Sequence, residues 1–312
     1  MTQAAFSVHV PATTANIGPG FDSIGLALDL WNEASFFFDG KGLSFSVQGY
    51  RPAFEIQPEN NLIYKAFAEL CRVCGKATPQ ALRIVCNNRI PVGSGLGSSA
   101  AAILIGLLAA DAWLGSQLSK KELLEIASAI EGHPDNAAAA IYGGLIGICS
   151  DGTSFHEDSF PVAEWNTVVV LPKFDLSTKA SRKILPEKVC LKDAVFNISH
   201  ALFVMQALGS GDENLLGIAM QDRLHQPYRI PLIPGADLII NAAKASGAAA
   251  VGLSGAGPSL ISFTMSDPET ILSKMRAILE PAGLDIEFFT PRISRCGAYV
   301  AASAANEQAS EF

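Results

Sequence analysis

The chain is short of charge. Only 17% of its 312 residues are Asp, Glu, Lys or Arg, whereas 49% are hydrophobic. That balance buries a sizeable core and excludes a chain left disordered for want of apolar surface. No basic block occurs: 22 Lys and Arg stand against 30 Asp and Glu, a net charge of −8. An acidic chain without a basic stripe is not expected to bind nucleic acid or a membrane surface. A small anion is a different matter, since a few local donors can hold one. Long hydrophobic runs are lacking too. The most apolar stretch, AAAILIGLLAADAWLG (100–115), is short for a bilayer and carries Asp111, so a buried helix is expected. MTQAAFSVHVP has neither the basic start nor the apolar run of a signal peptide, and none is expected. Six cysteines are scattered over positions 71, 74, 86, 149, 190 and 296. Cys71 and Cys74 form a single CxxC with no second pair to complete a zinc site. Buried thiols in a reducing, cytoplasmic setting are expected.

One further absence is local. IPVGSGLGSSAAA (90–102) has the look of a phosphate loop, yet the Walker pattern needs a lysine where Ser98 stands, and the dinucleotide pattern GxGxxG does not fit either. Backbone chemistry remains. The first turn of a helix has N–H groups without partners, and its dipole adds partial positive charge. Gly93, Gly95 and Gly97 allow positive φ and close approach to a phosphate. Ser98 and Ser99 add hydroxyls that can donate hydrogen bonds or ligate magnesium. A plain turn with a serine cap explains the same residues, and spacing alone leaves both explanations open.

Patterning gives a mixed chain. AFSVHVPA, LALDLWNEASFFF, FSVQGY, ALRIVCNNRIP, LIGICS and TVVVLP read as strands, and AAAVGLSGAGPSLISFTM as two strands around a glycine turn. ATTANIGPGFDSIG (12–25) reads as a loop, and FFTPRIS as the start of the last strand. NLIYKAFAELCRVCG, the Ala-rich run after Ser98, KKELLEIASAIEG, AAAAIYGG, AVFNISHALFVMQAL, DENLLGIAMQD, GADLIINAAKASG and DPETILSKMRAILEPAG read as helices. Ser119 and Glu122 have capping-box spacing, and Gly247 stands as a C-cap. The polar stretch from 151 to 165 is the expected boundary, giving domains of 1–160 and 161–312, and AANEQASEF reads as a frayed tail.

PVGSGLGSSAA closely resembles the second motif of the GHMP kinases, a family named for galactokinase, homoserine kinase, mevalonate kinase and phosphomevalonate kinase. VPATTANIGPGFDSIGLAL (10–28) resembles the first motif in its homoserine kinase form. EGHPDNAAAAIYGG (131–144) is similar to the segment after the phosphate-loop helix in that form, and VGLSGAGPSLISF (251–263) to the glycine-rich third motif. The four segments come in family order and span nearly the whole chain. The resemblance implies an α+β, two-domain GHMP kinase fold: an N-terminal domain like ribosomal protein S5 domain 2, with a left-handed βαβ crossover, and a ferredoxin-like C-terminal domain. It also implies ATP-dependent phosphorylation of the side-chain hydroxyl of L-homoserine on the threonine pathway, with magnesium, in a homodimer.

The same resemblance distributes roles. ATP phosphates fall to Pro91, Val92, Gly93, Ser94, Gly95, Leu96, Gly97, Ser98, Ser99, Ala100 and Ala101, and adenine to an apolar wall near Asn61 to Tyr64. Magnesium falls to Ser98 or Ser99 together with Glu131, because a hard cation takes hydroxyl and carboxylate oxygens. Asn16 and Asp22 match homoserine-binding positions, with Asp22 facing the ammonium; Arg182 and Arg229 match arginines that grip the carboxylate, aided by Thr178. His133 and Asn136 match substrate positions, Asn136 near the accepting hydroxyl, while Gly255, Ala256 and Gly257 let the backbone approach substrate or phosphates. Asp135 is either a base or a bystander to transition-state stabilisation. Blander explanations stand beside each: turn chemistry for Asn16 and Asp22, a helix-end acid for Glu131, a helix cap for Asp135 or Asn136, solvated cations for the arginines. Two rival functions remain. A kinase of another small alcohol such as mevalonate would not need an acid beside two arginines, and an inactive ligand sensor would not need both the serines and Glu131.

Overall fold

The computed structural model describes residues 4–50, 57–174 and 176–302, and the tail expected over 304–312 lies outside them. Strands β1 (Phe6–Ala15) and β2 (Ile24–Phe37) pair antiparallel from Phe6↔Phe36 to Ala15↔Gly25, with a bulge between Pro11 and Ala12. The loop expected over 12–25 is therefore shorter, since Ala12–Ala15 and Ile24–Gly25 belong to strands. Thr13 and Thr14 are buried there with the alanines, so a strand covered on both faces shows no alternation. β3 (Gly42–Gly49), α1 (Leu62–Val73) and β4 (Ala81–Asn88) follow, and β3 lies parallel to β4 as a βαβ unit requires. α2 (Ser98–Leu114) is apolar on every side, and its middle is buried accordingly. α3 (Lys120–Glu131) starts with both hydrogen bonds of the Ser119–Glu122 capping box. α4 (Asp135–Tyr142), β5 (Leu145–Ser150) and β6 (Phe155–Phe160) complete the first half. β6 occupies part of the stretch expected to be a boundary loop. Among the described residues it pairs only with β5, so most of its outer positions (His156, Asp158, Ser159) are polar and it shows no hydrophobic pattern.

The second half holds β7 (Asn166–Pro172), α5 (Thr178–Lys183), α6 (Leu191–Ser210), α7 (Glu213–Ala219), α8 (Gln226–Arg229), α9 (Ala236–Ser246), β8 (Ala250–Leu253), β9 (Leu260–Thr264), α10 (Pro268–Leu279) and β10 (Ile286–Phe289). Its sheet runs β10-β7-β9-β8, antiparallel throughout. FFTPRIS does not begin the last strand: Phe288 and Phe289 end β10, and the chain returns to the first sheet as β11 (Tyr299–Ala302) on the edge of β1. The first sheet then reads β11-β1-β2-β4-β3, with β5 and β6 off β2.

Two hydrophobic clusters hold these layers. The larger joins Val8, Phe36, Phe67 and Leu104 of the first half to Trp165, Ile261 and Phe263 of the second. The smaller packs α9 and α10 on the second sheet through Ile239, Leu253, Met275 and Leu279. Full burial of each such side chain contributes roughly 1.5–3 kcal/mol. Because the larger cluster crosses between the halves, the loops at their seam are held in fixed relation.

Candidate active site

Three glycine-rich loops meet at that seam. The phosphate-like loop enters α2 through Gly97, which is left-handed at φ 72°. A Cβ there would lie 2.0 Å from Thr13 Oγ1 and 3.3 Å from Asn136 Oδ1, so only glycine fits. Gly95 is as closely confined, facing the carbonyls of Ser254 and Gly257 at 2.4 and 2.8 Å from a notional Cβ. Ser254 Oγ bonds Thr14 Oγ1 at 2.9 Å and donates to Gly95 O at 2.7 Å. Thr13 N donates to Leu96 O, and Gly255 N to Ala15 O. The first, second and third motifs are thus tied together by side chain and backbone alike.

The first-motif turn is backbone-strained. Asn16, Ile17 and Asp22 have φ of 70°, 35° and 55°. Asn and Asp tolerate that region; isoleucine does not, and the surrounding contacts must hold it. Asn16 spans the turn, donating to Gly255 O at 2.8 Å and accepting from Asp22 N at 3.0 Å. Turn chemistry and placement at the cleft are one and the same arrangement here.

The serines differ. Ser98 Oγ accepts from Gly93 N at 3.2 Å, within its own loop. Ser99 Oγ donates to Glu131 Oε2 at 2.8 Å. Burial pushes the Glu131 carboxyl up, against the pull of Ser99 and His133, and the net direction is upward. The break after α3 is made by Gly132, and α4 starts at Asp135. Asp135 Oδ1 takes the Asn136 backbone N–H at 2.8 Å, Asn136 Nδ2 at 3.2 Å and His133 Nδ1 at 3.0 Å. Thr13 Oγ1 donates to Asn136 Oδ1 at 2.8 Å, which fixes the orientation of that amide. Burial would lower the His133 pKa, but the Asp135 bond and the charges of Asp135 and Glu131 outweigh it and raise it.

Arg182, on α5, forks onto Asp22 at 2.6 and 2.9 Å, and its Nε is buried with no hydrogen-bond partner among the described residues. Burial alone would lower its pKa; the Asp22 pair reverses the sign. Arg229, at the end of α8, is 1% exposed and meets Ser181 O, His225 Nδ1 and Gly255 O. Desolvation, with Arg182 nearby, lowers its pKa to about 10.

A cleft of about 340 Å³ gathers most of the expected residues. Asn16, Asn61, Glu131, His133, Asp135 and Asn136 line it, as do Thr178, Arg182, Arg229, Gly255, Ala256 and Gly257. Val92, Gly93, Gly95, Gly97, Ser98 and Ser99 line it from the phosphate-like loop. Pro91, Ser94, Leu96, Ala100 and Ala101 are buried behind it, where Ser94 Oγ donates to Pro91 O. Asp22 lies beside the cleft through its pair with Arg182. Val47, Cys86 and Ile105 add an apolar wall next to Asn61 and Asn88 that sequence reasoning placed only loosely. Cys86 and Asn88, two apart on β4, share a face, and that period was the available signal. Thr13 and His225 carried no local signal.

Residues 61–144 match the GHMP kinases N terminal domain, and residues 204–280 the GHMP kinases C terminal domain. The homoserine kinase of Carboxydothermus hydrogenoformans is 44% identical over 256 residues, covering 82% of this chain and 84% of that one. The homoserine kinase of Moorella thermoacetica is 43% identical over 257 residues, covering 82% and 86%. The crystal structure of homoserine kinase from Cytophaga hutchinsonii has a TM-score of 0.84 at 29% identity, covering 96% of this chain and 98% of that one. The chain belongs to the GHMP kinase family, with its two-domain α+β fold and ATP as phosphoryl donor. Within that family, the relatives just described, 43–44% identical over 82% of this chain, are homoserine kinases. No helix among the described residues is long and apolar enough to cross a membrane.

Proposed function

We propose that the chain transfers the γ-phosphoryl group of ATP to the side-chain hydroxyl of L-homoserine, giving O-phospho-L-homoserine and ADP. One observation carries this: a phosphate-type loop shares its cleft with Arg182 and Arg229, with Asp22 beside it on Arg182, charges of both signs as an amino-acid zwitterion requires. Asp22 answers the ammonium; Arg182 and Arg229 answer the carboxylate, and Arg229 meets only neutral partners among the described residues. Asn136, held by Thr13 and Asp135, faces the space between that set and the loop and orients the hydroxyl. Backbone N–H groups at the start of α2 receive the phosphates, which suits a transfer that depends on positioning and charge neutralisation. With three donors on Asp135 Oδ1, we assign that residue to orientation rather than to proton removal.

The pair of Ser99 and Glu131 fits magnesium: two hard oxygens 2.8 Å apart, the carboxylate largely buried beside the phosphate loop. When bound, the ion would offset phosphate charge. The same assignment places the enzyme in threonine biosynthesis and in the cytoplasm. A homodimer has a candidate face on α6, where Leu191, Val195, Ile198 and Leu202 are 79%, 56%, 64% and 69% exposed at successive turns. Light scattering should report a dimer, and L202E should shift it to monomer; a monomeric wild type rejects that part. The function itself is tested with purified protein, Mg-ATP and a panel of hydroxylated substrates. Homoserine should be turned over and mevalonate should not. Turnover of mevalonate alone sinks the assignment, and homoserine binding without phosphohomoserine makes the protein a sensor.

A further inference from the structure

His225 is the N-terminal flank of α8 and is 0% exposed. Its Nε2 lies 2.7 Å from Gly18 O and its Nδ1 lies 3.3 Å from Arg229 Nη1. A carbonyl only accepts and a guanidinium only donates, so Nε2 carries the proton and Nδ1 the lone pair. That tautomer is the neutral ring, and burial lowers its pKa against the opposing pull of the Asp222 carboxylate, 3.5 Å from Nε2. The turn beneath it is fixed by Asp222, whose carboxylate accepts from the N–H groups of Leu224, His225 and Gln226 at 2.9, 3.0 and 2.6 Å. Asn197 donates both to Asp222 and to Pro19 O, so the same support reaches the first-motif turn twice.

A buried histidine with both nitrogens satisfied is ordinarily a packing residue. Here one partner is the cleft cation. Every hydrogen-bond partner that Arg229 has among the described residues is neutral: Ser181 O, Gly255 O and His225 Nδ1. An acid at position 225 would hold the guanidinium as well but would cancel the charge a ligand needs. A neutral acceptor fixes its direction and leaves its charge for an incoming anion.

We propose that His225 is a positioning residue: it locks the Gly18 carbonyl of the first-motif turn and aims the Arg229 guanidinium, and through Arg229 it sets affinity for the substrate's carboxylate. This rests on the assignment of the cleft to an amino-acid substrate. The two nitrogens can be tested apart, because an Asn amide oxygen replaces Nδ1 in place and a Gln amide nitrogen replaces Nε2. H225Q keeps the Gly18 bond and loses the Arg229 bond; H225N does the reverse.

The experiment measures KM for homoserine, KM for ATP, kcat, and the inhibition constant of 3-aminopropan-1-ol, which has the ammonium and hydroxyl but no carboxylate. H225Q should raise the homoserine KM about tenfold, the loss of one hydrogen bond to a charged group. Its kcat, its ATP KM and its aminopropanol inhibition should stay within about twofold, since a fault confined to ground-state carboxylate binding moves KM alone. H225N should restore most of the homoserine affinity. Should H225Q fail to fold, H225N carries the test: it keeps the Arg229 bond, so its homoserine KM should stay within about twofold of wild type, and a roughly tenfold rise would overturn the proposal. Equal shifts in H225Q and H225N, or equal weakening of homoserine and aminopropanol, would overturn the proposal and leave a packing role. A wild type inert toward homoserine overturns the functional assignment and this proposal with it; an active wild type with unsplit variants overturns this proposal alone.

Discussion

At the scale of single residues, Gly97 has no room for one more carbon. Alanine there would keep a left-handed backbone at a cost of about 1–2 kcal/mol. It would also drive a methyl into Thr13 Oγ1, 2.0 Å away, and from there disturb Asn136. G97A should lower kcat/KM about a hundredfold, the scale of an ångström-sized misplacement at a reacting centre, and lower the melting temperature; near-wild-type kinetics would show that the contact does not matter. Glu131 makes the opposite case. Its pKa is raised in the folded state, mainly by burial, so the fold holds its proton more tightly than the unfolded chain does. Its contribution is full below the unfolded value of about 4.3 and is lost as pH rises through the folded value. Near neutral pH the ionised carboxylate therefore weighs against the free protein. E131Q should melt higher than wild type without ligand, yet lose activity and the rise in melting temperature that magnesium brings. An unchanged magnesium titration, by activity and by melting, rejects Glu131 as a ligand.

At the scale of elements, the break between α3 and α4 packs three functional side chains into four residues. Gly132 ends one helix in the left-handed region and Asp135 opens the next, so His133 is pinned between two carboxylates, Asp135 at 3.0 Å and Glu131 at 3.9 Å. Its raised pKa has a definite sign in stability. The contribution is complete below the unfolded value of about 6.5 and fades as pH climbs through the folded value above it. The melting-temperature advantage of wild type over H133Q should be largest in mild acid and shrink toward alkaline pH; a flat difference would show that the imidazolium is not what these carboxylates hold. Much of this element structure was legible. The Ser119–Glu122 spacing and Gly247 marked their helix ends because caps are local chemistry. The strand β6 was not, since an edge strand need bury nothing in alternation, and six-residue α5 has no apolar period. The convergence of Asn16, Glu131, His133, Asn136 and the arginines came from motif resemblance. The partners that orient them could not, because bonds such as Thr13 to Asn136 or His225 to Gly18 join residues more than a hundred positions apart.

At the scale of the molecule, the chain crosses its own boundary. β11 returns to β1 after the second sheet is complete, and one cluster unites Val8 and Phe36 with Trp165, Ile261 and Phe263. The third-motif turn then bonds the first two motifs through Ser254 and Gly255. Neither half can open without exposing the core of the other and undoing the cleft. Unfolding should therefore be a single cooperative transition, with calorimetric and van't Hoff enthalpies equal. Ligands that bind only the closed seam should move that one transition as a whole, by about 2.7 kcal/mol for each ligand present at a hundred times its dissociation constant. Homoserine and an ATP analogue added together should then shift it further than either alone. Two resolved transitions, with only one responding to ligand, would mean that the halves fold independently and that the shared cluster is a contact rather than a common core.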